Sequence, residues 1–287
     1  MKHLLPLLAL IVAATTIEAQ KKVRNPDIGI VQSIEHDGLL HQLGYRALVE
    51  SVGNLISPKT VSEQQFQTNL TKIKSLQTPL YAFNIFIPGE LKVVGPEVNE
   101  AAVLEYVETV FSRAKKAEVK RIIWGSGGSR RVPDGFDPAR ATEQFVSIAK
   151  KIAQVASQYD ITLALENLNS TETNFITTVD EALNIVKNVN HKNLRLCVDI
   201  YHMLKEGESP EVIKKTKDFV IYCEVAEKDG RTPPGTQGQD FRPYLTELKN
   251  IGYTGYVMIE CRWKDVSTEA RPAIEYLRNQ IANAYNN

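Results

Sequence analysis

Histidine and cysteine are scarce in this chain, with five and three in 287 residues. A multi-zinc hydrolytic centre needs more imidazoles than that, which argues against a metal-dependent phosphodiesterase or nuclease. Cys197, Cys223 and Cys261 are too few and too odd in number for a disulfide framework. They lie in apolar, strand-like runs and read as buried free thiols. An excess of one charge is also absent: 34 Lys and Arg balance 34 Asp and Glu, and a leader carrying Lys2 and Glu18 would leave with no net charge. That balance gives no reason to expect nucleic acid or an anionic membrane as partner. No Gly-rich turn follows the first strand-like run, where Ile34-Glu35-His36-Asp37-Gly38 stands instead, so a doubly wound dinucleotide-binding sheet is disfavoured.

A long apolar run is missing too. The one at Leu4–Ala14 falls short of the roughly 20 residues a spanning helix needs. It follows the basic start Met1-Lys2-His3 and precedes Thr15–Ala19, with charge and a breaker in Lys21–Pro26. This is the pattern of a signal peptide over residues 1–19, cleaved after Ala19. With no cysteine before Cys197 to take a lipid, the expected mature chain, 20–287, is periplasmic or secreted without stable membrane association.

From Asp27 onward, short β-branched runs alternate with longer amphipathic segments, the pattern of βαβ units around a parallel sheet. Eight strands are predicted, at Ile28–Ser33, Ala47–Val52, Leu80–Phe86, Arg121–Gly125, Thr162–Glu166, Leu194–Asp199, Val220–Ala226 and Tyr256–Glu260. Helical spacing of apolar residues marks Ala101–Ala117, Ala141–Tyr159, Val179–Val189 and Phe241–Ile251 among the intervening segments. The fold class is therefore α/β, a single (β/α)8 barrel of the usual size of roughly 250 residues. The stretch Gly125–Arg131 after the fourth strand reads either as a phosphate cradle or as a flexible loop; it lacks the Lys-Ser/Thr ending of a P-loop.

Catalytic groups of a parallel barrel come from the C-terminal ends of its strands. Acidic residues fall there on four successive strands: Glu166, Asp199, Glu224 and Glu260. Any one alone is most simply a capping or salt-bridged carboxylate. Four converging on one rim are costly to desolvate unless they hold a cation, and oxygen ligands favour Mn²⁺ or Mg²⁺ over Zn²⁺.

The segments Leu165-Glu166-Asn167-Leu168-Asn169, Val198-Asp199-Ile200-Tyr201-His202, Ala226–Gly235 and Ile259-Glu260 resemble the strand-five to strand-eight signatures of the sugar-phosphate isomerase/epimerase family of xylose isomerase-like barrels. The resemblance runs from about Asp27 to the last helix. It implies that Glu166 and Glu260 are both metal ligands and the acid/base pair, that Asp199 is a further ligand, and that His202 and Arg231 hold substrate oxygens. The family usually reads His-x-His where this chain has Tyr222-Cys223-Glu224. The expected histidine ligand is thus Glu224, and the extra negative charge calls for Lys228, Arg231, Arg262 or a protonated carboxyl as compensation.

Glu50, Asn84 and Trp124 end strands two to four and are candidates for lining a sugar pocket, with strand-end packing as the alternative. His36 is placed above the rim, and His41 and His191 on the surface. Asn69 and Asn169 begin N-x-S/T sequons. The resulting expectation is a metal-dependent sugar isomerase or epimerase that abstracts a proton next to a carbonyl through an enediolate. Beta-elimination from the same enediolate would make a dehydratase or lyase on a keto-sugar or 3-keto-glycoside, and a site without its metal would make a non-catalytic sugar-binding barrel. The partner is a small-molecule sugar, and homo-oligomerisation is left open.

Overall fold

The computed structural model describes residues 23–286, so the leader expected over 1–19 lies outside the described residues. Eight parallel strands close into a barrel in sequence order: β1 (Asp27–Val31), β2 (Leu48–Ser51), β3 (Leu80–Asn84), β4 (Arg121–Trp124), β5 (Thr162–Glu166), β6 (Leu194–Asp199), β7 (Val220–Val225) and β8 (Tyr256–Ile259). Pairing of Ile28 with Val257 and of Ile30 with Ile259 closes β1 on β8. All eight predicted strands are present. Six of them end one or two residues earlier than expected because the chain leaves the ladder to enter the loops on the C-terminal rim. In β3 the cause is local: Ile85 turns to φ 51°, and the strand stops at Asn84.

The helices are α1 (Asp37–Leu43), α2 (Val52–Leu55), α3 (Glu63–Lys74), α4 (Glu100–Lys116), α5 (Gly127–Arg130), α6 (Pro138–Gln158), α7 (Val179–Val189), α8 (Ile200–Glu206), α9 (Arg242–Asn250) and α10 (Val266–Asn286). α6 shows why they form. Asp137 accepts from the Ala139 N–H, Pro138 occupies the first turn, and Ala141, Phe145, Ile148, Ala149, Ile152, Ala153 and Ala156 make one buried stripe, as helix start signals and 3.6-residue spacing require. Phe145 packs 5.0 Å from Trp124 and 5.6 Å from Phe175. Phe145→Ala should cost about 3–5 kcal/mol through transfer and cavity terms, loosening the wall behind β4 and β5. No helix among the described residues is long and apolar enough to cross a membrane.

Successive strand side chains face opposite sides, and this parity positions the site. The barrel interior is filled by Ala47, Val49, Ala82, Ile123, Ala164, Cys197, Tyr222 and Met258. Two residues further along their strands stand Ser51, Asn84, Gly125, Glu166, Asp199, Glu224 and Glu260. The acidic residues are therefore the layer immediately above the apolar plug, on the inward parity. A one-residue slip in any strand would turn its carboxylate into the helix layer.

Candidate metal and active site

Oxygens of Glu166, Asp199, Glu224 and Glu260 lie within 4.8 Å of one another, and a second grouping of the same kind joins Glu166 and Asp199 to His202. Glu224 is fully buried, whereas the Glu260 side chain is 20% exposed and faces the mouth. Each is held by different means. Asp199 accepts with Oδ1 from the backbone of Tyr201 (2.7 Å) and His202 (3.3 Å), capping α8. Its other oxygen, Oδ2, is buried without a hydrogen bond among the described residues. Glu224 is braced from the layer beneath by the Tyr222 hydroxyl at 3.0 Å and the Cys197 thiol at 3.5 Å. Glu260 accepts from Asn84 Nδ2 at 2.9 Å and from the Arg231 guanidinium.

Behind β5 the backbone is fixed by Arg130, which is wholly buried and donates to the carbonyls of Trp124, Glu166 and Ile176 at 3.3, 2.8 and 3.1 Å. In the Gly125–Arg131 stretch, α5 and Arg130 thus tie β4 to β5 and the loop that follows it. Gly125 is glycine because a Cβ there would meet the Glu166 carboxylate.

His202 is buried, its Nε2 3.4 Å from both Glu166 Oε1 and Asp199 Oδ2. Asn169 Nδ2 lies 2.7 Å from His202 Nδ1, and Asn169 Oδ1 is already taken by Thr171 N–H and hydroxyl. The amide therefore donates to Nδ1, which assigns the neutral ring's proton to Nε2. In that tautomer His202 is a donor facing the carboxylates, with Nε2–H rather than a lone pair turned towards them. Its Nε2 makes no hydrogen bond among the described residues.

Burial pushes the Glu224 carboxyl well above the usual range, with Glu260, Glu166 and Asp199 adding repulsion. Burial likewise raises Glu260, to about 7, against the opposing pull of Arg231. For His202, burial works against the charge but Asp199 and Glu166 outweigh it, leaving the imidazole above its ordinary value. Burial brings Arg130 down to about 10, which keeps it cationic at neutral pH.

Arg231 brings positive charge to the cluster by pairing with Glu260 and approaching Asp199 at 3.8 Å, and Glu224 itself is relieved by its raised carboxyl, while Lys228 is exposed and Arg262 forms no ion pair among the described residues. Four carboxylates with orphaned acceptor Asp199 Oδ2 suit a hard divalent cation, and the donor set fits one.

Arg231 is half-buried, lies 4.7 Å over the Tyr201 ring, and pairs with Glu260 and, at 3.3 Å, with Glu172. It sits at φ 53°, a conformation costing about 1–3 kcal/mol for a non-glycine residue. The β7 loop keeps it there through Glu227, whose buried carboxylate accepts from the N–H groups of Gly235, Gln237, Gly238 and Gln239 at 2.8, 2.6, 3.1 and 3.2 Å, and from the Thr232 hydroxyl.

Asn84 reaches the site. Glu50 lines the same mouth, but its oxygens are already accepting from Ile34 N, Ser51 N and Asn54 Nδ2. It lies on the outward parity of β2, so it secures the β1 and β2 loops. Trp124 packs in the outer core, 5.7 Å from Phe86. Asn69 and Asn169 are both buried, so neither sequon is presented at the surface. His41 is exposed on α1, and His36 and His191 are half-buried outside the cluster. Sequence reasoning assigned no role to Glu172, Glu227, Asn167 or Asn169. All but Glu172 stood inside quoted motifs, but the role of Glu227 is visible only through the loop it ties.

Residues 39–280 match the model of the xylose isomerase-like TIM barrel family. The chain belongs to that family. Among relatives, a putative hydroxypyruvate isomerase of Homo sapiens is 30% identical over 181 residues, covering 60% of this chain and 64% of the human protein. A ketose 3-epimerase of Arthrobacter globiformis is 33% identical over 38% of each chain. These two matches span less than two thirds of the relatives' own lengths. A putative hydroxypyruvate isomerase of Xenopus laevis is matched more fully, 28% identical over 83% of this chain and 88% of that one. The fold is shared with a 3-keto-D-glucoside 4-epimerase of E. coli (TM-score 0.73, 18% identity, 88% of this chain and 99% of that one) and with a D-psicose 3-epimerase (TM-score 0.72, 20% identity, 91% and 96%). Within this xylose isomerase-like barrel, the rim carries four carboxylates, with Glu224 contributed by β7.

Proposed function

We propose that the protein is a divalent-metal-dependent sugar isomerase or epimerase. The observation that carries this reading is the convergence of Glu166, Asp199, Glu224 and Glu260 within 4.8 Å on the inward layer of the rim, in a family whose relatives here carry isomerase and epimerase names. Those four residues would hold the ion, with Mn²⁺ or Mg²⁺ favoured by their hard oxygens. A bound ion would supply Lewis-acid polarisation of a sugar carbonyl.

The chain's own groups supply the proton handling. Glu166 and Glu260 end strands three apart around an eight-stranded ring, so a sugar lying between them meets a carboxylate from two directions. One accepts the proton from the carbon next to the carbonyl and the other returns it. A glutamate carboxylate held within reach of the carbon beside the carbonyl is the group such a proton transfer needs. The unpartnered His202 Nε2–H and the Arg231 guanidinium are placed to donate to substrate oxygens, and Asn84 and Arg231 hold Glu260 in orientation. We also infer export, from the leader pattern over residues 1–19; recovery of chains that retain Met1 from the cytosol would contradict it.

The test is turnover of a panel of ketoses and keto-sugars, followed by chromatography, in Mn²⁺ and after chelation. New epimers or aldose–ketose pairs that vanish with chelator and return with metal support the reading. Turnover indifferent to chelation would refute metal dependence, and no turnover of any panel member with metal bound would favour a sugar-binding barrel.

A further inference from the structure

Of the four rim carboxylates, Glu224 is held differently from the rest. Asp199 is fixed by backbone N–H groups, and Glu260 by Asn84 and Arg231, all of them groups of the rim and its loops. The two donors to Glu224 among the described residues stand instead in the apolar layer beneath. The Tyr222 hydroxyl reaches Oε1 at 3.0 Å and the Cys197 thiol reaches Oε2 at 3.5 Å. Tyr222 and Glu224 are two apart on β7 and share its inward face, and Cys197 lies opposite Tyr222 in the ladder between β6 and β7. The phenol is the stronger donor of the two, since a thiol donates weakly.

Packing alone does not call for that hydroxyl. Tyr222 is fully buried in the interior cluster, where a phenylalanine would fill the same space with no polar atom to satisfy. A buried hydroxyl costs free energy unless it is hydrogen-bonded, and its one hydrogen bond among the described residues goes to Glu224. The ring itself is steadied from the floor of the barrel. Tyr81 lies nearly parallel to it, with centroids 6.3 Å apart and planes 16° apart. Tyr256 meets Tyr81 edge-on at 4.7 Å, and the Arg121 guanidinium covers Tyr81 at 4.3 Å. Arg121 and Tyr256 open β4 and β8, and Tyr81 is the second residue of β3. A column of side chains therefore runs from the N-terminal end of the barrel to a carboxylate on its opposite rim.

We propose that Tyr222 is a positioning residue for the metal site: the floor column fixes its ring, its hydroxyl fixes the Glu224 carboxylate, and a divalent ion meets a ligand already oriented. This rests on the metal-binding reading of the four carboxylates. A glutamate side chain has several torsions to order, and ordering them at the moment of binding costs affinity. A hydroxyl at the end of a rigid, packed ring removes that cost beforehand. It also supplies a hydrogen bond to a carboxylate that burial cuts off from water. Partners of this kind, one bond removed from the ion, contribute about ten- to hundredfold to metal affinity.

The experiment titrates Mn²⁺ into the full chain by calorimetry and records the electron paramagnetic resonance spectrum of the bound ion. Tyr222→Phe keeps the ring and removes the hydroxyl, so Mn²⁺ affinity should fall about ten- to hundredfold, with a changed spectrum. In a Glu224→Ala background the same substitution should alter affinity by less than about twofold, because the hydroxyl acts only through that carboxylate. On the floor, Tyr81→Ala should weaken binding about threefold and Tyr81→Phe should not; this pair carries the test if Tyr222→Phe does not fold. Wild type that binds Mn²⁺ while Tyr222→Phe binds it equally well, or an equal loss with and without Glu224, overturns the positioning role and leaves the metal reading standing. Tyr81→Ala equal to wild type overturns the column. Wild type that binds no divalent ion refutes the metal reading itself, and the positioning role with it.

Discussion

Divalent metal binding should strengthen about tenfold between pH 6 and pH 8 and release protons as it does so. The source is Glu260, which burial raises from 4.5 to about 7 in the metal-free protein. At pH 6 roughly a tenth of the molecules carry it ionised, and at pH 8 roughly nine-tenths do, so the proton competes with the metal over this window. Glu224, raised in the same direction and more deeply buried, steepens the dependence. The same shift has a consequence for stability. A carboxyl whose folded pKa lies above its unfolded value contributes most below the unfolded value, and that contribution is lost as pH rises through about 7. For Glu260 the loss is about 3 kcal/mol, so the metal-free protein should melt at a lower temperature at pH 8 than at pH 5 through this group, with metal restoring the difference. Glu260→Gln should flatten both curves. Calorimetry in two buffers of different ionisation enthalpy counts the protons released. Affinity that is flat from pH 6 to pH 8, or binding with no proton release, would refute the electrostatic account of the cluster.

Glu166→Gln and Glu260→Gln should each lower turnover by about 10² to 10⁴ while leaving the circular dichroism spectrum unchanged. In metal titrations, Glu224→His should keep binding and shift selectivity towards softer ions, whereas Glu224→Ala should weaken binding of all of them. Glu227→Gln leaves an amide among four backbone donors, so KM should rise several-fold through a looser Arg231 with metal affinity little changed; a KM equal to wild type would show that the loop does not depend on this carboxylate. Arg130→Met strands the Trp124, Glu166 and Ile176 carbonyls and should cost about 3–5 kcal/mol in denaturant unfolding.

Barrel and rim were legible because they follow from local patterns. Strand runs and period-2 spacing put Glu166, Asp199, Glu224 and Glu260 two residues above an apolar interior residue each, and that arithmetic needs no contact information. Roles made across the barrel were not legible. Nothing local says that Glu50, one residue off the inward parity, spends its carboxylate on Ile34 and Asn54, or that Gly125 is glycine to clear Glu166. The loop after β7 shows the same gap most fully. Arg231 was visible as a cation near a familiar signature, but its strained backbone and the Glu227 carboxylate that ties the loop are products of closure over a dozen residues.

The central claim is that this carboxylate rim removes a proton from the carbon beside a sugar carbonyl. Incubating Mn²⁺-loaded protein with keto-sugars in deuterium oxide and following the C–H resonances by NMR tests it most directly. The account predicts loss of a single C–H signal next to the carbonyl in wild type, and its retention in Glu166→Gln and Glu260→Gln. Exchange that persists in both variants, or metal-loaded wild type that exchanges no keto-sugar or keto-glycoside, would contradict it.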